Sequence, residues 1–397
     1  MKSIVIFGAG KIGRSFIGQV FSKGGYEVVF ADIDKVLIRE LNFRKHYNVV
    51  VKDEKEEIIP VFNVRAIHLS DINDLMNELD NTNIAAVSVG QHGIPDVVKI
   101  LALSLERRQY SRPGSPLDLI IAENMRDSDV FIRDELKKLL PVNFPLEKEI
   151  GLIETSIGKM VPIITNDNIN SDPLTVYAEA YNTLILSKRS FLNPIPAIPE
   201  LAPKENIKAW VDRKLFIHNF GHASLAYLAS LKNPDYLYTW EALADDELYA
   251  EVFETMKESA NILHSIYPDE FSPRDLEEHI LDLLKRFANK SLGDTIYRVG
   301  CDLQRKLGPE DRIVPLIRYA FNRKLSYNRI LKVLLAGILF PAKDAKGNMN
   351  NADRQFIKQY HHNAEKILQD HCKIDVSIEK QIYKDAAKIL FAWENNK

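Results

Sequence analysis

A glycine-rich turn directly after a short apolar run constrains the fold of this chain more than any other feature. The run is SIVIF, residues 3–7, and the turn is Gly8-Ala9-Gly10-Lys11-Ile12-Gly13. When G-x-G-x-x-G joins a strand to a helix, the first glycine allows a tight turn, the second lets the backbone approach a pyrophosphate, and the third lets helix and strand pack closely. The helix N-terminus adds free N–H groups for phosphate. We therefore expect a dinucleotide at residues 8–13; the alternative is a tight turn that binds none.

A carboxylate at the end of the next apolar run bears on the choice of dinucleotide. The run EVVFAD, residues 27–32, ends with Asp32. A carboxylate in this position accepts hydrogen bonds from the two ribose hydroxyls and repels a 2′-phosphate, so it favours NAD over NADP. The alternative is that Asp32 is an ordinary surface residue at a strand end and binds no ribose.

Apolar β-branched runs alternate with helical stretches over the first half of the chain. Further buried strands are predicted at residues 84–90, 117–124 and 151–155, with more strand within 172–186. Such runs, separated by helices, are typical of a parallel sheet covered on both faces. The proline-rich stretch 193–203 then indicates a linker.

The chain beyond that linker is predicted to be helical. Helical periodicity is found in four long segments, residues 210–231, 247–267, 273–290 and 328–340. A chain of 397 residues is too long for one ordinary core. We predict an α/β Rossmann-like NAD-binding domain with a mostly parallel sheet at residues 1–192 and an all-α catalytic domain at residues 193–397.

Four polar side chains crowd into RKLFIHNFGH, residues 213–222, within the first of those helices. At about 100° per residue, with Lys214 at zero, His218 lies near 40°, His222 near 80° and Asn219 near 140°, so one face carries all four. A solvated face is the simple explanation. However, Gly221 in a helix interior costs about 1 kcal/mol unless something must come close, which favours a polar cluster lining a cleft.

Two chemistries compete for this helix. His218 and His222 have a spacing that can hold one metal ion, but H-E-x-x-H is absent, so a metal site is the weaker hypothesis. The other chemistry is alcohol oxidation. A lysine whose pKa is lowered by burial and a nearby nicotinamide cation removes the hydroxyl proton, asparagine N–H groups hold the alkoxide, and a histidine fixes the substrate hydroxyl.

Asn124 is a further candidate because it ends the predicted strand 117–124. Ligands of open α/β sheets bind beyond the carboxyl ends of the strands, so its amide could face nicotinamide or substrate. From spacing alone, an asparagine that caps the following helix is an equal alternative.

These motifs resemble the polyol-specific long-chain dehydrogenases, the mannitol dehydrogenase family. The signature K-x4-N-x2-H is present as Lys214, Asn219 and His222, and the resemblance extends over most of the chain. It also includes FGAGKIGRSFIG, AENM, VDRKLFIHNFGHASLAYL and the RF-x-N…L-x-D…RV-G…RKL…DR pattern that runs from Arg286 to Arg312.

The resemblance implies a role for each matching residue. Lys214 is the general acid/base, Asn124 and Asn219 form the oxyanion pocket, and His222 contacts the substrate. NAD is bound by the glycine loop, residues 8–13, and by Asp32. The family works without a metal, and His218 is then expected to be a packing residue.

The chain departs from the family pattern at two places. Relatives carry V-D-R-I-V-P where this chain has Ile157-Gly158-Lys159-Met160-Val161-Pro162. The missing aspartate helps to relay protons from the lysine in polyol dehydrogenases of the family, and Glu154 or a water molecule could replace it. Cys301-Asp302-Leu303 stands where phosphate-using relatives tend to have R-x-P.

Arginines concentrate in residues 291–315 and raise the question of an anionic substrate. Arginine forks bind phosphate or carboxylate, and the resemblance makes Arg298 and Arg305 substrate-side residues. Spacing alone favours surface ion pairs with the neighbouring acidic residues. Lys11 and Arg14 beside the glycine loop could also serve anions, although cations at helix starts are common on surfaces.

Composition bears on the partners and the cellular location to be expected for this protein. A net charge of −3 gives no reason to expect nucleic acid or an anionic membrane as partner. Cys301 and Cys372 are the only cysteines, so no disulfide framework and no Cys-based zinc site is expected. The N-terminus lacks a signal peptide and no apolar run spans a membrane, so the expected location is the cytoplasm. The oligomeric state stays open between a monomer and a weak dimer.

We therefore expect an NAD-dependent, metal-independent dehydrogenase for a small polyol or sugar phosphate, in a cleft between the two domains. D-Mannitol 1-phosphate and D-fructose 6-phosphate are the first choice of substrate pair. The alternatives are a hexuronate reductase or another polyol dehydrogenase of the same family, a sensor that binds NAD(H) without turnover, and a metallohydrolase that uses His218 and His222.

Overall fold

The computed structural model describes residues 2–53, 55–162 and 172–395. The chain divides into two compact units, Met1–Val211 and Asp212–Lys397, whereas the sequence prediction set the domain boundary at 192 and 193. The physical reason for the later division is that the proline-rich stretch ends in a strand of the first unit's sheet, Leu201–Lys204.

The first unit contains eleven strands in its described residues. In chain order, β1 to β11 are Ser3–Phe7, Glu27–Asp32, His46–Val51, Glu57–Phe62, Val64–His68, Ile84–Val87, Leu117–Ile121, Ile150–Ser156, Val176–Ala178, Leu184–Ser187 and Leu201–Lys204. Its α-helices are Gln19–Lys23, Lys35–Arg44, Ile72–Asn81, Ile94–Ser111, Ser128–Leu139 and Leu146–Glu149, and the helix Ile207–Arg213 begins in this unit and ends in the second. The segment Gly13–Gly18 is π-helical and Gln91–Gly93 is a 3-10 turn.

Eight strands form the main sheet in the order β11-β10-β8-β7-β6-β1-β2-β5. All neighbouring pairs are parallel except β10 with β8, which is antiparallel. The predicted Rossmann-like, mostly parallel sheet is thereby confirmed. Because Phe7, Val87, Ile121 and Glu154 are successive partners across four strands, the loops that follow these strands leave the same edge of the sheet.

Three strands lie outside that sheet. β3 pairs with β4 antiparallel and with β9 parallel. The predicted strand region 172–186 therefore contains two strands in two different sheets, since Val176–Ala178 joins β3 and Leu184–Ser187 joins β8.

Both faces of the main sheet are buried, as the near-continuous apolar runs predict. Along β1, Ile4 and Ile6 pack in one hydrophobic cluster, and Val5 and Phe7 pack in a second cluster on the opposite face. This alternation follows from the two-residue period of a strand.

The second unit is helical in its described residues, which confirms the predicted class. Its α-helices are Phe220–Lys232, Thr239–Leu243, Asp246–Ile266, Pro273–Phe287, Ile296–Gly300, Leu303–Lys306, Val314–Arg323, Asn328–Leu339, Asn351–Tyr360, Ala364–Lys366 and Lys380–Asn395. Lys214–Asn219 and Ile367–His371 are π-helical, and Lys290–Leu292 is a 3-10 turn.

Packing explains the glycine inside the helix Phe220–Lys232. A Cβ at Gly221 would collide with the side chain of Met256, on the helix Asp246–Ile266. The glycine therefore permits two helices to approach closely, which offsets its unfavourable helix propensity. Within the described parts of the chain, no helix combines the length and apolar character needed to cross a bilayer.

Candidate active site

The glycine loop has the close contacts that its sequence predicts. Gly8 has φ +96°, in the region that favours glycine, and a Cβ there would collide with the carbonyl of Ser88. A Cβ at Gly13 would collide with the carbonyl of Gly8. At Gly10, by contrast, no described atom lies within 4 Å of the position a Cβ would take. The loop is thus tight at its first and third glycines and open beside the second.

Asp32 fastens the glycine loop to the end of β2. Its Oδ2 accepts the Ala9 N–H at 2.6 Å, and its Oδ1 accepts the N–H groups of Ile33 at 2.7 Å and Asp34 at 3.0 Å. A carboxylate has about four acceptor positions, so Asp32 keeps capacity for a ribose hydroxyl. The loop and this carboxylate fit NAD, with open space for backbone–pyrophosphate contact and a negative charge against a 2′-phosphate.

Arg14, which follows the last glycine, holds the loop from behind. Its side chain is only 8% exposed. Its Nε donates to the Ala9 carbonyl at 2.7 Å, and its Nη1 donates to the Leu174 carbonyl at 2.7 Å. Arg14 is therefore a buried residue that joins the loop to residue 174 by hydrogen bonds. The sequence had suggested an anion ligand or a surface cation, and neither interpretation anticipated this position.

Asn124 lies exposed in the turn after β7, three residues beyond the last strand residue, Ile121. The helix that follows has Asp127 as its N-cap residue, so the alternative that Asn124 caps this helix is wrong. Glu123, next to Asn124, is buried, and its Oε1 accepts the Gly90 N–H at 2.8 Å. The turn is thereby attached to the loop that follows β6.

Lys214 and Asn219 lie in a π-helical turn, Lys214–Asn219. The α-helical arc used in the sequence prediction placed Asn219 about 140° from Lys214, and this geometry does not apply to a π turn. Because π-helical hydrogen bonds join residues i and i+5, residues five apart lie on the same side of the helix. The spacing K-x4-N therefore brings the lysine and the asparagine onto one side. The Phe220 N–H donates to the Leu215 carbonyl across this turn.

Two side chains stabilise the carbonyls of the π turn. The buried hydroxyl of Ser259 donates to the Phe216 carbonyl, and Arg312 Nη1 donates to the Asn219 carbonyl at 3.0 Å. Arg312 is itself 7% exposed, and its Nε lies 2.6 Å from Asp311 Oδ1. Neither residue was among the sequence-predicted site residues, because no local pattern indicates which side chains reach a helix carbonyl.

Lys214 has the electrostatic environment of a proton-transfer group. Burial lowers its pKa from 10.5 to about 8, and the positive charge of Arg312 acts in the same direction. A lysine with such a pKa is present in both protonation states near neutral pH, which an ordinary surface lysine is not.

His222 is held neutral. Burial, followed by the positive charges of Lys306, Arg298 and other cations, lowers its pKa to about 3. Its ring stacks on Phe287, with centroids 4.5 Å apart, and its Nε2 lies 3.4 Å from Asp294 Oδ2. That nitrogen is buried and makes no hydrogen bond to any described residue. A neutral imidazole in this state is suited to hydrogen bonding with a substrate hydroxyl.

His218 is buried beside Phe287, with ring centroids 5.7 Å apart, and its pKa is lowered well below 6.5, mainly by burial. Its ring lies 6.5 Å from that of His222. Among the residues described here, no group of three or more His, Cys, Asp or Glu side chains is placed to hold a metal ion.

The two predicted substrate arginines form ion pairs. Arg298 pairs with Asp294, and Arg305 pairs with Asp302 at 2.6 Å and with Asp311 at 3.0 Å. About half of each arginine side chain is exposed. The expected ion pairs with neighbouring acidic residues are therefore present, and a substrate role for either arginine stays a prediction.

Lys306 is one of the basic residues of the stretch 291–315 that the sequence prediction did not assign to the substrate site. It is 6% exposed, its Nζ donates to the Val299 carbonyl at 2.6 Å, and burial lowers its pKa to about 8. It is also the charged group with the largest effect on the pKa of His222. The helical unit thus places a buried ammonium near His222, in addition to the predicted arginines.

Aromatic surface lies beside the position of the missing family aspartate. A Cβ at Gly158 would lie 3.4 Å from a ring carbon of Tyr181, which is ordinary contact. Lys159, in place of the family arginine, is buried, and its Nζ donates to Asn182 Oδ1 at 2.8 Å. The other residues of this stretch lie in the same described segment, which ends at residue 162: Ile157, Met160, Val161 and Pro162.

A dinucleotide loop attached to a strand-end carboxylate, together with a lysine of lowered pKa and a neutral histidine on one helix, defines an NAD-dependent polyol dehydrogenase. The chain belongs to the mannitol dehydrogenase family. The family model for the mannitol dehydrogenase Rossmann domain matches residues 2–200, and the model for the C-terminal domain matches residues 206–389.

Individual relatives agree with this assignment. A mannitol-1-phosphate 5-dehydrogenase of Geobacillus stearothermophilus is 33% identical over 319 residues, covering 79% of this chain and 81% of the relative. One from Buchnera aphidicola subsp. Acyrthosiphon pisum is 29% identical over 341 residues, covering 85% and 86%. Pseudomonas fluorescens mannitol 2-dehydrogenase, solved with NAD and D-mannitol, matches 100% of this chain and 92% of its own with a TM-score of 0.73, and at 15% identity shows the fold alone.

Proposed function

We propose that this protein interconverts D-mannitol 1-phosphate and D-fructose 6-phosphate, with Lys214 as the general acid/base. The observation that carries the proposal is the lowered pKa of Lys214, about 8, in the same turn as Asn219. The substrate pair is supported by the names of the relatives from Geobacillus and Buchnera.

The proposed reaction separates a hydride and a proton from one secondary alcohol. Bound NAD supplies the hydride acceptor. The Lys214 amine takes the hydroxyl proton as the C–H bond breaks, and in the reverse direction its ammonium returns that proton to the ketone oxygen. This role requires the neutral amine for oxidation and the ammonium for reduction.

The amides and the histidine serve the oxygen atoms of the substrate. The N–H groups of Asn124 and Asn219 stabilise the charge that develops on the reacting oxygen. The neutral His222 hydrogen-bonds a substrate hydroxyl through its buried Nε2. This assignment keeps Lys214 as the group that changes protonation state, because a histidine with a pKa of about 3 does not take up a proton near neutral pH.

Cations of the helical unit support an anionic substrate. Arg298 and Arg305 are proposed substrate-side residues, and the buried Lys306 adds an ammonium beside them in sequence. Guanidinium and ammonium groups bind phosphate by charge-assisted hydrogen bonds.

The test compares Lys214→Ala with Lys257→Ala. We expect Lys214→Ala to lose at least about a thousandfold in kcat while NADH fluorescence titration still shows binding. Lys257 is on the helix Asp246–Ile266 and lies 3.9 Å from Glu254 at the surface, so its variant should keep normal activity. Near-normal turnover in Lys214→Ala would refute the mechanism.

The substrate is tested with NADH and a panel of four ketoses: fructose 6-phosphate, fructose, fructuronate and tagaturonate. Oxidation of NADH with fructose 6-phosphate supports the proposal. Activity with only the uronates would replace it with a hexuronate reductase, and activity with none would favour an NAD(H)-binding sensor.

A further inference from the structure

A buried aspartate joins two segments of the helical unit that lie far apart in sequence. Asp353, on the helix Asn351–Tyr360, is 0% exposed. Its Oδ2 accepts the Asp302 N–H at 2.8 Å, and its Oδ1 accepts the Leu303 N–H at 2.7 Å. Burial of a carboxylate is rare and is costly unless donors match its acceptors, so this position calls for a reason.

A third donor completes the hydrogen bonds of this carboxylate. Asn350, the N-cap residue of the helix, donates from Nδ2 to Asp353 Oδ2 at 2.7 Å. In return, Asn350 Oδ1 accepts the Asp353 N–H at 2.8 Å, which caps the helix. The helix start therefore has its own cap, and the bonds from the carboxylate to residues 302 and 303 serve the other segment.

That other segment is a turn in an unfavourable backbone conformation. Asp302 has φ +74°, a left-handed value that few residues other than glycine adopt. It joins the helices Ile296–Gly300 and Leu303–Lys306. Two hydrogen bonds to a carboxylate stabilise this conformation. Leu303 stands where the phosphate-using relatives tend to have proline, which has no N–H group to donate.

The same turn carries two cations of the proposed substrate site. Arg305 and Lys306 lie on the short helix that follows the turn. On the other side of the turn, the Gly300 carbonyl accepts the hydroxyl of Tyr227 at 3.0 Å, and Tyr227 lies on the helix that follows the π turn. The turn is thus attached to the catalytic helix through Tyr227 and to a more distant helix through Asp353.

We propose that Asp353 is a positioning residue for the anionic group of the substrate. By accepting the N–H groups of Asp302 and Leu303, it fixes the turn that precedes the two cations. Without these bonds the turn is free to leave its left-handed conformation, and the cations then meet a phosphate in poorer hydrogen-bond geometry. The effect on the substrate rests on the function proposed above, whereas the effect on the turn does not.

Asp353→Asn removes part of this support with little change in shape. The amide has one acceptor oxygen where the carboxylate has two, so at least one of the two bonds to the turn is lost. We expect KM for fructose 6-phosphate to rise at least about fivefold and kcat to change less than about twofold, because the phosphate end is remote from the reacting carbonyl. Initial rates at saturating NADH measure both constants. An unchanged KM in the folded variant would overturn the proposal.

Asn350→Ala is the matched control for an effect of helix stability alone. It removes the N-cap of the same helix and one donor to Asp353, but it leaves both bonds from the carboxylate to the turn. Both variants should lower Tm, whereas only Asp353→Asn should raise KM. An equal rise of KM in the two variants would show that Asp353 acts only through the stability of its helix, which contradicts the proposal.

The thiol of Cys301 reports on the turn without turnover. It is half-buried and donates to the Arg298 carbonyl at 3.3 Å, whereas Cys372, the only other cysteine, is 0% exposed. Labelling of the native protein with DTNB should be at least about fivefold faster in Asp353→Asn than in the wild type, and Cys301→Ser should abolish it. If no ketose is reduced, the proposed function fails, but equal labelling rates would separately refute the role of Asp353 in fixing the turn.

Hydrogen exchange of the wild type decides the case in which the variant does not fold. The amides of Asp302 and Leu303 donate to a buried carboxylate, whereas those of Ser377 and Ile378 donate to the exposed carboxylate of Asp375. The first pair should exchange at least about a hundredfold more slowly than the second, after correction for intrinsic rates. Comparable rates for the two pairs would refute the proposal.

Discussion

Arg312 offers a direct test of what sets the pKa of Lys214. Burial and the positive charge of Arg312 both disfavour the ammonium form of Lys214, and they lower its pKa from 10.5 to about 8. Burial is the larger of these two causes, so Arg312 accounts for less than half of the difference. Replacing it with an uncharged residue should therefore raise the pKa of Lys214 by at most about one pH unit.

The expected effect on oxidation follows from the population of the neutral amine. With a pKa of about 8, half of Lys214 is neutral at pH 8. If the pKa rises by about one unit, roughly one molecule in eleven is neutral there, so oxidation of mannitol 1-phosphate in Arg312→Met should fall about fivefold at pH 8. The activity should return at higher pH.

Arg312→Lys separates charge from hydrogen bonding. A lysine in this position keeps the positive charge but lacks the guanidinium group through which Arg312 hydrogen-bonds both Asp311 and the Asn219 carbonyl. Its pH profile for kcat should keep the wild-type midpoint while the plateau falls. Stopped-flow or steady-state kcat values between pH 6 and 10 measure both quantities. Identical midpoints in the wild type and Arg312→Met would refute the electrostatic argument.

Three further predictions concern cofactor choice, packing and stability. Asp32→Asn should lower kcat/KM for NAD at least tenfold and narrow the preference over NADP, because it removes the charge beside the ribose; an unchanged NAD to NADP ratio would contradict this. Gly221→Ala should lower the free energy of unfolding by about 1–3 kcal/mol, because the new methyl group collides with Met256. Met256→Ala should relieve that collision, so denaturant titration should show that Gly221→Ala costs less in the Met256→Ala background. The pKa of Glu154 is raised to about 7 in the folded chain, so folding favours its protonated form and stability falls as pH rises from about 4.5 to 7. Glu154→Gln should therefore raise Tm at pH 8 relative to the wild type but not at pH 4, with a gain in the free energy of unfolding of at most about 3 kcal/mol. Equal Tm values at pH 8 would contradict this.

The parts of the fold that depend on local patterns were predictable from the sequence. β1 and β2 have the predicted limits because each is a continuous apolar run that ends at a turn or a charge. The predicted strand 117–124 extended too far, because β7 stops at Ile121, before Glu123 and Asn124. A strand ends where its ladder partners end, and a run of residues does not specify this.

The remaining features depend on contacts between distant segments. The small sheet of β3, β4 and β9 was not predicted, because its strands come from separate parts of the chain. Arg14 and Lys306 are charged residues whose burial follows from backbone carbonyls supplied by Leu174 and Val299. Glu154 was named only as a substitute for a missing aspartate, and its place opposite Ile121, the last residue of β7, becomes visible only through the pairing of the strands.

The π turn at Lys214–Asn219 has a consequence for how such a helix can change during evolution. A lysine and an asparagine four residues apart lie on one side of an α-helix, and they keep that relation at the spacing K-x4-N only if the helix changes locally. One inserted residue achieves this, because a π turn absorbs it while the flanking α-helical segments keep their faces. The interval between the two residues is therefore a marker of helix type. In related sequences, K-x4-N should accompany a π turn, and loss of one intervening residue should restore an α-helix.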